Sequence, residues 1–345
     1  MTSAEPAVGP VIDIHSHFFP EQWPDLNERF GTPGWPWMRR EDEHNATVMM
    51  GKSEFRKVTS ACWNADVRLA DMDASSVDFQ VISATPVLFA YGRPADHAME
   101  CARIFNDSLL EICSQGRGRL IPLCQVPLQD TDLACRELDR AMASGHAGVE
   151  IGNHVGDRDL DDEALVMFLQ HCAAVDAPVF VHPWDMFGGC RLEQWMLEWT
   201  VSMPSETQLS LNRMILGGAF DRIAPNLRIC FAHGGGSFAF LLGRLENAWH
   251  RQPLVRGASA APPSTYVDRF AVDSAVFDHR SLRLLVDVMS DERVLLGSDY
   301  PFPLGEERVG ELIHTSHLST VSQQRLLGGN AQAFFNINHA GHRHP

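Results

Sequence analysis

The chain has 345 residues with a formal net charge of −16, and 45% of its residues are hydrophobic. These values are normal for a globular protein and allow either two average domains or one large α/β barrel. The acidic charge argues against nucleic acid as a partner, because there is no basic stripe to neutralise phosphates. No apolar run is long enough to cross a bilayer, and residues 1–10 do not resemble a signal peptide. The eight cysteines form no C-x-x-C pair, so we expect reduced thiols in a cytoplasmic protein.

Eight short apolar segments, most of them followed by a helical pattern, are predicted to be strands. They are rich in Val, Ile, Phe and Leu on both faces, which is typical of a parallel sheet buried on both sides. The predicted strands cover residues 11–14, 79–83, 120–125, 148–151, 179–182, 228–232, 270–274 and 293–298. Helical periodicity covers residues 66–75, 95–115, 131–144, 161–175, 204–222, 237–250, 279–290 and 319–335. Eight such units predict an α/β fold, a (β/α)8 TIM barrel forming one domain over 1–345, with its active site at the C-terminal ends of the strands.

Some of the predicted helices carry end signals. Asp130 and Asp161 are predicted N-caps, because a side-chain oxygen at this position accepts hydrogen bonds from the first free amides. Gly145 is a predicted C-cap, since glycine adopts the left-handed backbone that ends many helices.

Two connections are too long for a plain barrel. Residues 18–65 contain four tryptophans, which favours an ordered insertion, a small subdomain packed over the barrel mouth, over a disordered segment. Residues 183–203, between the fifth strand and its helix, hold three more tryptophans. The histidine-rich end of the chain, 339–344, is expected to be a solvated tail.

Polar side chains follow the apolar strands at the point where several of them end. His15 and His17 lie two apart on the first strand, so their imidazoles point the same way. His182, His233 and Asp299 end the fifth, sixth and eighth predicted strands. Because the strand ends of a barrel meet at one face, these residues predict a metal-dependent active site. Three imidazoles and one carboxylate suit Zn²⁺ best, with iron, cobalt or manganese compatible by geometry.

The lysine count limits the site to one metal ion. A second ion bridged by a carboxylated lysine on the fourth strand is excluded, because the only two lysines are Lys52 and Lys57 in the first long connection. His233 would overfill a four-ligand site, so we expect it to be the general acid/base beside the metal. The alternative is a histidine that only hydrogen-bonds behind the ligands.

Several longer motifs carry a resemblance to a known family. They include I-D-I-H-S-H-F-F-P at 12–20, G-K-x-x-F-R at 51–56, A-T-P-V at 84–87, Q-V-P-L-Q-D at 125–130, I-G-N-H-x-G-D at 151–157, V-H-P-W-D-M at 181–186, M-P-x-E-T at 203–207, H-G-G-G-S-F-A-F at 233–240 and L-G-S-D-Y-P-F-P-L-G-E at 296–306. Over residues 12–338 the chain resembles the decarboxylases of the amidohydrolase superfamily. The H-x-H pair and the final aspartate belong to the whole superfamily, whereas H-P-W-D-M and S-D-Y-P-F-P-L-G-E are more specific.

The resemblance implies a role for each matching residue of the metal site and pocket. It implies one zinc ion per chain held by His15, His17, His182 and Asp299, with His233 activating the water on the metal. It further implies a set of substrate-binding residues, which are Arg56 for a carboxylate and Met186, Trp199 and Phe302 as pocket walls.

The resemblance also implies a homodimer. Arg244 matches an arginine that crosses the dimer interface into the neighbouring active site. The family carries another substrate arginine eight residues later, where this chain has Gln252 next to Arg251. Either Arg251 serves in its place or carboxylate recognition differs.

The activity implied is non-oxidative decarboxylation of a dicarboxylate, an amino-carboxymuconate semialdehyde. Losing CO₂ from a vinylic carbon requires that carbon to be protonated or otherwise rehybridised first, and a metal site with an adjacent histidine can support either route. A dicarboxylate needs cationic anchors, and arginine offers bidentate geometry. Two alternatives stay open: a related decarboxylase of another dienoic or hydroxybenzoic acid, and a mononuclear metal-dependent hydrolase.

Overall fold

A computed structural model describes residues 9–337 of the chain. The strands are β1 (Ile12–Phe18), β2 (Pro36–Arg40), β3 (Asn45–Met50), β4 (Ser53–Thr59), β5 (Phe79–Ala84), β6 (Leu120–Pro122), β7 (Val149–Ile151), β8 (His154–Val155), β9 (Arg158–Asp159), β10 (Val179–Val181), β11 (Ile229–Phe231), β12 (Ala271–Asp273) and β13 (Val294–Leu295). The α-helices are α1 (Leu26–Phe30), α2 (Ala65–Ala74), α3 (Ala95–Gln115), α4 (Thr131–Ala143), α5 (Glu163–Ala174), α6 (Met203–Leu216), α7 (Ala219–Arg222), α8 (Phe238–Arg251), α9 (Pro253–Arg256), α10 (His279–Met289), α11 (Glu311–His314), α12 (Thr320–Gln324) and α13 (Asn330–Phe335). None of these helices combines the length and apolar character needed to cross a membrane.

The parallel strands close into a barrel. One run of the sheet is β1-β5-β6 and the other is β13-β12-β11-β10-β7. Parallel bridges Cys124–Val149 and Ser16–Tyr300 join the two runs at both seams. The predicted (β/α)8 barrel is confirmed, and each of the eight predicted strands overlaps one of the parallel strands that form it.

Two apolar layers hold the barrel together. The larger layer lies between the sheet and the surrounding helices. The smaller one fills the barrel interior and includes Ile12, Val81 and Phe180. Ala331 and Phe335 of α13 pack against this inner layer, so the last helix closes the end of the barrel at which the strands begin. The opposite end, where the strands finish, is left for the polar residues.

Strand β1 contains a β-bulge that turns the side chains of His15 and His17 toward the barrel axis. Its pairing with β5 shifts register between Asp13 and Ser16, so that two residues of β1 oppose one of β5. Ile12 and Ile14 both pack in the inner apolar layer, as residues two apart on a regular strand do. The bulge changes the alternation beyond that point, so that His15 and His17 also face the barrel axis.

The segment predicted as an insertion contains an antiparallel sheet of β2, β3 and β4. Trp35 and Val48 in this segment are almost fully buried in the large apolar layer. The Trp23 indole donates to the Pro36 carbonyl at 3.1 Å, which ties the start of the segment to β2.

Most predicted helices are found with small shifts at their ends. Asp130 caps α4 as predicted, accepting from Leu133 N at 3.0 Å. The cap of α5 is Asp162 instead of Asp161, because it is the Asp162 carboxylate that accepts from Ala164 N at 3.0 Å. The C-cap of α4 is Ser144, with Gly145 following it at a φ of 111°. The predicted helix 204–222 is two helices, since Gly218 adopts a left-handed backbone (φ 68°) between α6 and α7. The histidine-rich tail lies outside the described residues.

Candidate active site

Four side chains predicted as ligands converge at the C-terminal end of the barrel. One nitrogen or oxygen atom from each of His15, His17, His182 and Asp299 lies within 4.8 Å of the others. The Nε2 atoms of His15 and His17 are 3.1 Å apart, and Asp299 Oδ1 lies 3.6 Å and 3.4 Å from them. The His182 ring lies 5.1 Å and 4.9 Å from the rings of His15 and His17, measured between centroids.

The hydrogen bonds of two of the imidazoles leave their inner nitrogens free for a cation. His15 Nδ1 donates to Asp273 Oδ2 at 2.6 Å, and His182 Nδ1 donates to the Pro183 carbonyl at 3.0 Å. Each ring then carries its lone pair on Nε2, the tautomer that a metal ion needs. Three nitrogen donors and one carboxylate oxygen therefore fit a single metal ion of the zinc type.

Burial and neighbouring charges set the protonation of these ligands. Burial lowers the pKa of His17 to about 4, and burial with the neighbouring imidazoles lowers that of His182 well below its usual value. For His15, burial opposes the charged form, but the Asp273 carboxylate outweighs it and raises the pKa to about 9. Without a metal ion the ring therefore also holds a proton on Nε2, which a bound cation would replace. Burial also opposes charge on Asp299, and the surrounding imidazoles outweigh it and hold its pKa far below the usual value. Asp299 is thus an anion facing the histidines.

Asp273 connects the ligand His15 with the loop that carries His233. Its Oδ2 accepts from His15, and its Oδ1 accepts from Gly234 N at 2.8 Å and Ala275 N at 3.1 Å. Sequence reasoning assigned no role to Asp273, although it lies near the end of the predicted strand 270–274 and is the last residue of β12. That strand-end position is the signal that could have identified it.

His233 lies beside the four ligands. Its ring centroid is 5.1 Å from that of His15 and 5.0 Å from that of His182, and its Nε2 lies 4.0 Å from Asp299 Oδ2. Within residues 9–337, its buried Nδ1 has no hydrogen-bond partner. Burial lowers the pKa of His233, which keeps the ring available as a proton acceptor. The turn after it needs glycine, since a Cβ on Gly236 (φ 64°) would lie 1.9 Å from the Pro204 carbonyl oxygen.

A cavity of about 930 Å³ opens above these side chains. Its walls are mostly apolar and come from β4, from the connecting loops and from parts of α6, α8 and α10. The cavity contains His17, His182, His233 and Asp299 together with Phe55, Arg56, Lys57, Trp184, Met196, Trp199, Phe240, Phe277, Phe302 and Leu304. A concave apolar site with a few polar groups is the usual form of a small-molecule pocket.

Arg56 is a cation in this cavity without an anionic partner. Its guanidinium lies 4.2 Å from the ring centroid of Phe302 and 5.6 Å from that of Phe55. It makes no hydrogen bond or ion pair with any residue that the structure describes. Burial lowers its pKa, which still leaves the guanidinium charged at neutral pH. A desolvated cation that forms no ion pair or hydrogen bond with the described chain is suited to bind an anion from outside the chain.

The other predicted substrate residues have different placements. Trp199 and Phe302 line the cavity. Met186 is half-buried and does not line it, whereas Met196, which sequence reasoning did not select, does. Arg244 and Arg251 are exposed on α8 and do not reach the cavity of their own chain.

Comparison with known proteins agrees with this arrangement. Residues 12–337 match the amidohydrolase family. The chain therefore belongs to the amidohydrolase family. Its named relatives place it among the decarboxylases of that family, which are carboxy-lyases.

Two named relatives are similar over nearly their full length. The 2-amino-3-carboxymuconate-6-semialdehyde decarboxylase of Dictyostelium discoideum is 40% identical over 95% of this chain and 92% of its own. The enzyme of that name from Caenorhabditis elegans is 30% identical over 95% of this chain and 94% of its own. Among solved structures, a dihydroxybenzoic acid decarboxylase from Polaromonas with bound manganese and the inhibitor 2-nitroresorcinol superposes with a TM-score of 0.77. It is 20% identical and covers 95% of this chain and 97% of the other.

Proposed function

We propose that this chain decarboxylates 2-amino-3-carboxymuconate 6-semialdehyde to 2-aminomuconate 6-semialdehyde. The observation that carries the proposal is the unpaired Arg56 guanidinium, which shares one apolar cavity with the four-residue metal site and His233. This arrangement binds a carboxylate and offers a proton-transferring group close to the place where a cation would be held. The names of the relatives at 40% and 30% identity support the substrate. The reaction belongs to the kynurenine route of tryptophan breakdown.

The chain's own residues account for each requirement of this reaction. A carbon that loses CO₂ from an unsaturated system must first receive a proton, so that the electrons of the breaking C–C bond have an acceptor. His233 is positioned to move that proton, since its ring borders both the cavity and Asp299. Arg56 holds a carboxylate by two parallel hydrogen bonds, which fixes the plane of the substrate. Trp199 and Phe302 exclude water from its apolar part.

We propose that the bound metal is one zinc ion held by His15, His17, His182 and Asp299. The support is the set of three nitrogens and one oxygen, which suits zinc, and the absence of both lysines from the strands of the barrel. When bound, such an ion supplies Lewis acidity and lowers the pKa of water at its open position.

We propose that residues 18–65 act as a cover that completes the site from one side. Phe55 and Arg56 of β4 line the cavity, although they come from this segment and not from the strands of the barrel. Their presence there supports the predicted insertion over the barrel mouth.

We propose a homodimer in which Arg244 completes the active site of the partner. Arg244 is exposed on α8 and makes no ion pair within the described part of the chain, while Phe240, one turn earlier, borders the cavity and is 76% exposed. An exposed aromatic side chain at a cavity mouth, followed by a free cation, is a surface that a second copy can cover. Arg251, at the exposed end of the same helix, is proposed as a further carboxylate contact.

We infer a cytoplasmic location from the cysteines. All eight are free, and five of them are buried. Free thiols in this number are typical of a reducing compartment.

The experiment generates the semialdehyde in place from 3-hydroxyanthranilate with its dioxygenase and follows both its ultraviolet absorbance and CO₂ release. After the consumption measured without enzyme is subtracted, we expect one CO₂ per semialdehyde consumed, at a rate proportional to the amount of this enzyme. Measuring CO₂ separates decarboxylation from spontaneous cyclisation, which consumes the semialdehyde without releasing CO₂. CO₂ release from 2,6-dihydroxybenzoate but not from the semialdehyde would contradict the proposed substrate and favour the hydroxybenzoic acid alternative.

A further inference from the structure

The three histidine ligands differ in how their outer nitrogens are held. His15 Nδ1 and His182 Nδ1 have direct acceptors at 2.6 Å and 3.0 Å. His17 Nδ1 is buried and has no hydrogen-bond partner among residues 9–337. The carboxylate that faces it is Glu150, whose Oε1 lies 3.9 Å away, beyond the length of a hydrogen bond.

Glu150 is itself an unsatisfied group. It lies on β7 with no exposed surface, and neither of its oxygens has a hydrogen-bond partner in the described chain. The Ser83 hydroxyl is close to this carboxyl, but it donates to the Ser16 carbonyl at 3.4 Å. Burial raises the pKa of Glu150 well above its usual value. A carboxyl group in such a place is costly unless something else binds it.

Gln125 adds two more unpaired atoms at the same place. The parallel β-bridge between Cys124 and Val149 places the next residues, Gln125 and Glu150, beside each other on neighbouring strands of the barrel. Gln125 is 2% exposed, and within residues 9–337 neither its Nε2 nor its Oε1 has a partner. Five buried polar atoms of His17, Gln125 and Glu150 are therefore left without partners.

Buried polar atoms that lack protein partners are the usual binding sites of internal water molecules. A buried water makes two to four hydrogen bonds to otherwise unsatisfied groups, and a carboxylate, an amide and an imidazole N–H supply these. We propose that Glu150 is a positioning residue for His17, acting through a buried water that Gln125 also binds.

The expected effect of Glu150 is on the metal ligand and not on the substrate. Neither Glu150 nor Gln125 lines the cavity. An acceptor for the His17 Nδ1 proton fixes the tautomer whose Nε2 lone pair faces the other ligands, and it limits rotation of the ring. The proposal rests on the metal site but not on the proposed substrate, so the two can fail separately.

The test measures zinc affinity of the metal-free protein by competition with a coloured chelator. Substitution of groups that orient a metal ligand typically costs 10- to 100-fold in affinity, so we expect about tenfold weaker zinc binding for Glu150→Gln and about a hundredfold for Glu150→Leu. The Gln variant keeps the shape of the side chain and remains informative if the Leu variant does not fold. In the cobalt-substituted protein, the visible absorption bands should shift in both variants, because they report ligand geometry.

Glu137→Gln is the matched control. Glu137 is also a glutamate with no exposed surface, but its carboxylate is bound by Asn106 at 2.8 Å and by Arg140 at 2.7 Å and does not face His17. Asn106 also binds the backbone of Gln125, so this control disturbs a buried carboxylate next to the proposed water site without removing the group that faces His17. We expect this variant to lose thermal stability while its zinc affinity and cobalt spectrum stay unchanged. Unchanged zinc affinity in a folded Glu150→Gln variant would overturn the proposal, as would an equal loss in Glu137→Gln.

A high-resolution structure of the metal-bound protein tests the bridge itself. We expect an ordered water within hydrogen-bonding distance of His17 Nδ1 and of a Glu150 oxygen. A dry gap between these two atoms would overturn the bridged form of the proposal.

Discussion

Replacing Arg56 with methionine should separate substrate binding from stability. The guanidinium makes no hydrogen bond or ion pair with the described chain, so its charge is free for a ligand. Hydrogen bonds to a charged group contribute about 1.5–3 kcal/mol, and losing them should reduce kcat/KM about 10- to 150-fold. The contact with Phe302, at 4.2 Å, is worth about 0.5–1 kcal/mol. Methionine keeps the stem over the ring and removes a desolvated charge, so the free energy of unfolding should change by less than about 1 kcal/mol.

The assay combines steady-state decarboxylation with thermal unfolding of the same preparations. Lys57→Met is the matched control, because Lys57 follows directly in β4 and borders the same cavity but is exposed. A solvated charge contributes about 0.2–1 kcal/mol, so this variant should lose at most about fivefold. The reasoning would be refuted by an Arg56→Met variant with unchanged kcat/KM, or by one whose activity falls only as far as its stability does.

Three further variants test the remaining roles. His182→Ala should lose bound metal and activity together, as elemental analysis and turnover will report, and a variant that kept one metal per chain would remove His182 from the ligand set. His233→Ala should keep its metal and lose a factor of about 10² to 10⁴ in rate, whereas loss of the metal would make His233 a ligand. Mixing Arg244→Ala with His233→Ala should restore part of the activity, because one site of a mixed dimer carries neither change; no recovery after verified subunit exchange would confine Arg244 to its own chain.

The barrel and the cluster of proposed metal ligands could be predicted from the sequence because both depend on local patterns. Each strand of a parallel barrel is a short apolar run, and the residue that follows it reaches the shared face. His182 and Asp299 obey this rule, whereas His15 and His17 lie within β1 and reach the same face through its bulge. The H-x-H pair could still be identified because it follows the apolar run 11–14 directly. Asp273 lies at a strand end too, but a lone aspartate gains meaning only when His15 is seen 2.6 Å away.

Features that depend on distant parts of the chain could not be predicted in this way. The sheet of β2, β3 and β4 has no clean alternation, because Thr47 and Val48 are both fully buried on opposite faces. Met186 was selected from the family resemblance, and the connection 183–203 has no periodic pattern that could have pointed to Met196 instead. Glu150 of β7 faces His17 of β1 across the barrel interior, and no spacing along the chain could reveal that these two residues lie close together.

The bulge in β1 sets a limit on how this active site can change by evolution or design. Because the phase of the strand switches between Asp13 and Ser16, a β1 of the same length paired regularly with β5, without the bulge, would turn His15 and His17 toward the helices while leaving Ile12 and Ile14 in place. Every other ligand would keep its position, yet half of the imidazole-carboxylate set would be gone. Substitutions can change the chemistry of this strand one residue at a time, but a change that straightens the strand without shortening it would lose both histidines together.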